Sequence, residues 1–238
     1  MYPLAQVRDA TNALWAAVRR TLGWGPNSLE WSVLTPDVWH EPDLLLAQCC
    51  GWPLVTELPE SVALVGTFDY AVPNSVDGSY HSVIVTATDR SLSELRQDPA
   101  SVAAVNGHSS LSGWISLQHA WRGTPLNTIV SGGHLASARA VAAGSAHVAS
   151  IDAVSWKLFE EFEPAAVAGL RIIGQGPRVP CLPIIVPIRH AGSIPDLRSA
   201  FAAAVADPAL DDARNALRIR GFVPLDRADY TPLLTLLG

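Results

Sequence analysis

Short apolar runs alternate with amphipathic stretches along this chain, and the alternation predicts its secondary structure. In residues 9–22, Leu14 and Val18 fall on one helical face, and Gly23 follows as a stop signal. Residues 80–86 alternate apolar and polar side chains, which is typical of a strand leaving the turn-rich residues 73–78. The chain therefore begins with a helix and continues as a mixture of strands and helices.

The same periodicities predict the other elements. We expect strands at 29–34, 44–50, 62–67, 102–105, 128–130, 147–152, 170–173 and 182–187, and helices at 91–97, 114–121, 134–143, 154–162, 196–206 and 208–218. Ser91 and Glu94 have capping-box spacing. The run 182–187 contains two prolines, which lack an amide N–H, so we expect an edge or crossover strand there. The alternation predicts a mainly parallel α/β architecture.

Polar residues follow three of the predicted strands. Ser110 and Ser112 come after 102–105, His134 comes after 128–130, and Asp152 ends 147–152. Ligands of parallel sheets bind beyond the carboxyl ends of the strands. These side chains are therefore candidate ligand-binding residues.

The segment 106–114 is rich in serine and glycine and leads into a predicted helix. The first turn of a helix has amide N–H groups without internal partners, and such an end binds oxyanions without Lys or Arg. Ser109, Ser110 and Ser112 add hydroxyl donors, and Gly113 leaves room for close approach. The alternative is an ordinary serine cap with no ligand.

Composition narrows the class of protein. Of the 238 residues, 49% are hydrophobic and 16% are charged, which indicates a folded globular chain, and the net charge is −6. No basic stripe suits a nucleic acid, and no apolar run is long enough to span a membrane. Cys49, Cys50 and Cys181 have neither disulfide-framework nor zinc spacing, so we expect free thiols, no metal and no cofactor.

Six segments together resemble the phosphate- and phosphonate-type substrate-binding proteins of ABC transporters. Ser110-x-Ser112-Gly113, Gly133-His134 opening a helix, and Asp152 after a strand carry the likeness, and it extends over 43–48, 80–85 and 180–183. The resemblance implies a two-lobed α/β fold of the type II periplasmic-binding class, with a ligand cleft between the lobes. We expect lobe one to comprise 1–76 and 179–238, and lobe two to comprise 77–178.

The family likeness also implies roles for individual residues. Ser110, Ser112 and the Gly113 backbone would hold the oxyanion, with Ser109 beside them, and His134 and Asp152 would face the ligand. Tyr80 would line the cleft at the crossover, and Gln48 to Trp52 would form the wall of lobe one. Structural alternatives stay open, because His134 and Asp152 could cap helices and Tyr80 could pack in the hinge.

The sequence departs from the family at several points. Leu111 stands where phosphonate binders usually have Thr, and the usual first strand has no counterpart before the first helix. The N-terminal residues show no export signal, so we expect a cytoplasmic chain as given, or a periplasmic one if a leader is removed before residue 1.

Two functions fit these observations. The first is binding of a small anion, namely phosphate, phosphonate or a related metabolite, with an ABC-transporter permease as partner and no catalytic residues. The second is a cytoplasmic enzyme of cofactor or quinone biosynthesis on the same fold, with His134 and Asp152 as an acid–base pair. Neutral hydroxyl and backbone donors predominate among the candidates, which favours binding.

Overall fold

The structure is a computed structural model that describes residues 2–32, 37–58 and 60–237. Contacts divide the chain into two compact units. Unit 1 comprises Met1–Ala71, Ser75–Ser79 and Pro180–Thr231, and unit 2 comprises Val72–Asn74, Tyr80–Val179 and Pro232–Gly238. The residues after Thr231 thus group with unit 2, whereas the sequence-based bounds placed them in lobe one.

Eleven strands are formed by the described residues. They are β1 (Ala47–Gln48), β2 (Val62–Tyr70), β3 (Ser79–Tyr80), β4 (Ser82–Thr86), β5 (Val102–Val105), β6 (Asn127–Val130), β7 (Val148–Asp152), β8 (Arg171–Gln175), β9 (Val179–Pro180), β10 (Pro183–Pro187) and β11 (Ile219–Val223). Strands β3 and β9 pair with each other where the chain passes between the two units.

Ten α-helices accompany these strands in the described part of the chain. They are α1 (Arg8–Leu22), α2 (Gly51–Thr56), α3 (Leu92–Gln97), α4 (Ser116–Trp121), α5 (His134–Ala142), α6 (Ala153–Phe162), α7 (Pro164–Val167), α8 (Ile194–Ala206), α9 (Asp211–Ala216) and α10 (Arg227–Tyr230). None of these helices has the length and apolar character needed to cross a membrane.

Local sequence signals explain the ends of several helices. Gly23 ends α1 in the left-handed conformation, at φ 75°, and donates its N–H to the Arg19 carbonyl. Ser91 and Glu94 form the predicted capping box at α3. Asp152 caps α6 by accepting the N–H groups of Val154 and Ser155.

The sheet of unit 1 has the order β1-β10-β2-β11, and all its neighbours are antiparallel. An aromatic cluster packs at its centre, where Phe68 makes edge contacts with Tyr70, Phe201 and Phe222. Phe201 of α8 stacks on Phe222 of β11 with 5.6 Å between ring centroids. These rings join the sheet to α8.

The sheet of unit 2 has the order β6-β5-β7-β4-β8. Strand β5 runs parallel to β6 and β7, whereas β4 runs antiparallel to β7 and β8. The core lies against β4, β5 and β7 and is built from Ile84, Leu95, Ala103, Val105, Leu117, Trp121 and Val148. Its buried side chains fix the strands whose ends carry the candidate site.

One topological expectation was wrong, and a second is narrowed to one of its two alternatives. The architecture is not mainly parallel, because β5 makes the two parallel pairings described and the whole unit 1 sheet is antiparallel. Of the edge and crossover alternatives for 182–187, the edge strand is excluded, since β10 lies between β1 and β2 and follows the passage of the chain into unit 1 at Pro180. Its prolines stand at the two ends of the strand, and Pro183 takes part through its carbonyl, which accepts the Cys49 N–H.

Other differences concern individual elements. Residues 29–32 form no strand, and residues 33 and 34 of that predicted strand lie outside the described residues. Within 44–50 only β1 forms. Helix α2 begins where Gly51-Trp52-Pro53 suggested a stop, because a proline in the first helical turn replaces an amide that would have no partner. The sequence analysis also missed β11 and α10.

The turn before the first crossing is held within unit 1 by an ion pair. Arg220 Nε and Nη2 donate to Asp69 Oδ2 and Oδ1 at 2.7 and 2.9 Å. Asp69 also accepts the Gly78 N–H and the Ser75 hydroxyl. Burial acts to raise the pKa of Asp69, but the donors from Arg220, Gly78 and Ser75 outweigh it and lower that pKa.

Replacing Asp69 with Asn should destabilise the protein by about 1–2 kcal/mol near neutral pH, because charge-assisted bonds to a half-exposed arginine are lost. A lowered carboxyl pKa stabilises the fold above about pH 4, and this contribution disappears as the pH falls through the folded-state pKa. Urea unfolding at about pH 7 and about pH 3 should therefore show a stability difference between wild type and Asp69→Asn that shrinks in acid.

Asp77→Asn is the matched control, since Asp77 is an exposed residue of the same turn. It should leave stability nearly unchanged. Equal stability of wild type and Asp69→Asn at neutral pH would show that the ion pair does not hold this turn.

Candidate functional site

The carboxyl ends of three parallel strands meet at one edge of the unit 2 sheet. Asn106 follows β5, Ser131 follows β6, and Asp152 is the last residue of β7. The Ser131 N–H and hydroxyl both donate to the Val105 carbonyl, at 2.7 and 3.1 Å, and tie the ends of β5 and β6 together. Side chains predicted from separate segments thus belong to one edge.

The serine-rich segment begins with a tight turn and a helical turn. Ser110 donates its N–H to the Gly107 carbonyl, and Leu111–Ile115 then form a π-helical turn that continues into α4. The Ser110 hydroxyl accepts the Gly113 N–H at 3.0 Å and so caps this turn. A hydroxyl that accepts one hydrogen bond still has its own proton to donate. Ser109 is exposed in the turn.

Gly113 is required by the close approach of Asn106. A Cβ atom at position 113 would lie 1.7 Å from Asn106 Oδ1 and 2.8 Å from its Cγ. The sequence analysis explained Gly113 by the approach of a ligand, whereas here a side chain of the same unit fills that space. Asn106 Oδ1 is buried without a hydrogen-bond partner among the described residues.

Ser112 and His134 contact each other directly. Ser112 is 6% exposed, and its hydroxyl lies 2.9 Å from His134 Nε2 at the start of α5. Ser150 of β7 donates its hydroxyl to the Ser112 carbonyl at 2.6 Å, which fixes the helical turn on the strand. The first turn of the Ser-rich helix and the first turn of α5 therefore meet at a hydroxyl–imidazole pair.

Asp152 and Tyr80 form the second polar pair. Both residues are 2% exposed, and the Tyr80 hydroxyl donates to Asp152 Oδ2 at 2.5 Å. Asp152 Oδ1 accepts the Val154 and Ser155 N–H groups at 2.9 Å each. Three donors converge on this carboxylate and so position Tyr80, β7 and α6 relative to one another.

The surroundings of His134 favour the neutral form of its imidazole. Burial lowers the pKa of its imidazole, and this effect outweighs the nearby Asp152 charge and the Ser150 backbone, which both act to raise it. The Nδ1 atom is buried and has no hydrogen-bond partner of ordinary geometry among the described residues. We call Ser110, Ser112, His134, Tyr80, Asp152 and Ser150 the strand-end cluster.

The two remaining candidates lie in unit 1. Gln48 ends β1, where its Nε2 atom donates to the Tyr70 hydroxyl at 3.2 Å and the Leu182 carbonyl at 3.4 Å. Its Oε1 atom is buried without a partner in the described part of the chain. Trp52 is half-buried on α2. Seven predicted residues therefore belong to unit 2 and two to unit 1.

Asn106, Ser131 and Ser150 were not among the predicted site residues. Asn106 and Ser131 each follow a strand directly, so the signal that selected Asp152 could also have selected them. Ser150 faces the cluster from within β7, and the pattern of a buried strand does not distinguish such a serine from a core residue.

Other candidate chemistry has little support. Burial raises the pKa of the Cys49 thiol well above its usual value, which favours an inert, structural cysteine. Across residues 2–32, 37–58 and 60–237, no group of three His, Cys, Asp or Glu side chains could hold a metal ion. His108 makes an edge contact with Trp114, with 5.1 Å between ring centroids, as expected for a turn residue.

Three solved structures illustrate the folds that this chain resembles. PhnD1 from Prochlorococcus marinus, in complex with methylphosphonate, has 13% identity and a TM-score of 0.77 over 96% of this chain and 90% of that chain. The binding protein component of an ABC phosphonate transporter, PA3383 from Pseudomonas aeruginosa, has 15% identity and a TM-score of 0.77. The match covers 97% of this chain and 80% of that chain. XAC2383 from Xanthomonas citri, bound to ATP, has 18% identity and a TM-score of 0.69. The match covers 98% of this chain and 91% of that chain.

These likenesses establish a two-lobed α/β binding-protein fold. No curated protein matches the chain in sequence. The family model for the periplasmic substrate-binding protein of phosphonate ABC transporters matches residues 60–230, which is more than two thirds of the 238 residues. This chain therefore belongs to the phosphonate substrate-binding protein family of ABC transporters.

Proposed function

We propose that this protein binds a small phosphonate through its phosphorus oxyanion at the strand-end cluster and delivers it to an ABC-transporter permease. The observation that carries the proposal is the meeting of Ser112 and His134 at the carboxyl edge of the unit 2 sheet. Family membership supports the transporter partner.

The donors of the cluster suit an oxyanion. The Ser112 N–H lies in a first helical turn, where the helix provides no internal acceptor, and the Ser110 hydroxyl keeps a proton to donate. The ligands of the two similar complexes, methylphosphonate and ATP, share a tetrahedral phosphorus with charged oxygens. We infer that this shared group is what the cluster recognises.

Asp152 supports binding more readily than catalysis. Its carboxylate is buried and accepts three hydrogen bonds from Tyr80, Val154 and Ser155. A general acid or base must reach the reacting atom, whereas this carboxylate is committed to holding β7, α6 and Tyr80 together. Its role in the proposal is to position the site.

Methylphosphonate should raise the melting temperature of the protein, because a ligand that binds the native state stabilises it by RT ln(1 + [L]/Kd). Scanning calorimetry with increasing methylphosphonate measures this shift, and inorganic phosphate and ATP are the comparison ligands. A melting temperature that none of the three ligands raises, even at millimolar concentration, would contradict the proposed function.

Replacing both Ser110 and Ser112 with Ala should weaken methylphosphonate binding at least about tenfold. Each charge-assisted hydrogen bond contributes about 1.5–3 kcal/mol, and about 1.4 kcal/mol corresponds to one decade in Kd. Titration calorimetry measures the change. Ser93→Ala, an exposed serine on α3, is the control and should bind like wild type.

Ser110 also caps a helical turn, so its two roles must be separated. Ser110→Gly retains most of the capping stability, because glycine is tolerated at this position, but it removes the hydroxyl. We expect weaker binding with a nearly unchanged melting temperature of the free protein. Wild-type affinity in the double alanine variant would place the oxyanion elsewhere.

A further inference from the structure

The strand-end cluster contains a carboxylate and no permanently charged cation. Ser110, Ser112, Ser150 and Tyr80 are neutral, and the Asp152 carboxylate accepts hydrogen bonds from three donors and acts electrostatically on His134. With His134 neutral, an incoming oxyanion meets a buried negative charge. Two like charges at short range in a poorly solvated site repel each other strongly.

His134 can relieve this repulsion. Its Nε2 atom contacts the Ser112 hydroxyl, at the position proposed for the oxyanion, and its ring lies within reach of the Asp152 charge. An imidazolium there would be attracted both by the oxyanion and by Asp152, and a nearby opposite charge favours the charged form. In the free protein burial opposes protonation, so the anion supplies the missing stabilisation.

The other charged or titratable groups around α5 are either paired or exposed to solvent. Strands β4 and β5 and helix α7 carry no ionisable side chain, and β7 contributes Asp152. On α6, Lys157 pairs with Glu160, and Glu161 is exposed; Arg139, near the far end of α5, pairs with Glu163. His108 is exposed beside Trp114. Asp152 is therefore the charge that acts on His134.

We propose that His134 takes up a proton from solvent when the protein binds its phosphorus oxyanion, so that affinity increases as the pH falls. This inference rests on the proposed function. The bound state carries one more proton than the separated partners, and that proton resides on the His134 imidazole.

Thermodynamic linkage between proton binding and ligand binding gives the direction in which affinity changes with pH. Free His134 loses its proton below the ordinary histidine pKa of about 6.5, whereas the bound anion raises that pKa. Between these two pKa values the complex holds more protons than the free partners. The association constant should therefore rise by up to about tenfold for each unit by which the pH decreases in this interval.

The test is titration calorimetry of methylphosphonate at about pH 6.5, about pH 7 and about pH 8, a range that begins at the ordinary histidine pKa, in two buffers of different ionisation enthalpy. The difference between the observed heats gives the number of protons taken up. We expect uptake of up to about one proton for the wild type, nearly none for His134→Gln, and wild-type uptake for His40→Gln, whose histidine is exposed in unit 1.

The ligand can also take up a proton, because its second ionisation lies near neutrality, as it does for phosphate groups. Undiminished uptake by His134→Gln would assign the proton to the ligand and overturn the inference. Binding by the wild type without proton uptake at any of these pH values would overturn it as well. If methylphosphonate, phosphate and ATP all fail to bind the wild type, the proposed function itself fails, which is a distinguishable result.

A second measurement covers the case in which His134→Gln does not fold. The ring nitrogens of His134 in the wild-type protein should change from the neutral to the imidazolium pattern of ¹⁵N chemical shifts when methylphosphonate is added. A ring that stays neutral in the saturated complex would overturn the inference independently of any variant.

Discussion

The candidate site depends on the hydrogen bonds that the buried Asp152 carboxylate accepts. It ends β7, caps α6 through two backbone N–H groups and holds the Tyr80 hydroxyl. An isolated buried carboxylate would be very unfavourable, so these donors are a condition of the fold as well as of the site. The same charge acts on His134, which in turn contacts Ser112. The Asp152 side chain therefore caps α6, holds the Tyr80 hydroxyl and influences the charge of the site.

Local signals in the sequence predicted much of unit 2. The capping box of α3, the cap of α6 and the strand ends that carry Ser112, His134 and Asp152 all depend on residues close in sequence. Strand direction and sheet order depend on distant pairings. The alternation of strands and helices therefore suggested a parallel sheet where β4 is antiparallel, and the two prolines of β10 could not decide between an edge strand and an internal strand after the crossing.

In the candidate site, too, the contacts between residues distant in sequence or structure could not be predicted from local signals. Gly113 was recognised as a position of close approach, but the group that approaches is Asn106, seven residues earlier, and only the folded loop brings the two together. The Ser112–His134 contact could be anticipated because both residues follow parallel strands. Ser150 could not, since its hydroxyl faces the Ser112 carbonyl from a strand whose five residues are all buried.

The central claim is that the first helical turn at Ser112, together with His134, receives the oxyanion. A ¹H–¹⁵N correlation titration of the isotope-labelled protein with methylphosphonate tests this claim most directly. We predict that the amide of Ser112 and its immediate neighbours show the largest shifts, with the amide proton moving downfield as it binds the oxygen. Saturable shifts confined to residues far from this turn, with the Ser112 amide unchanged, would contradict the account.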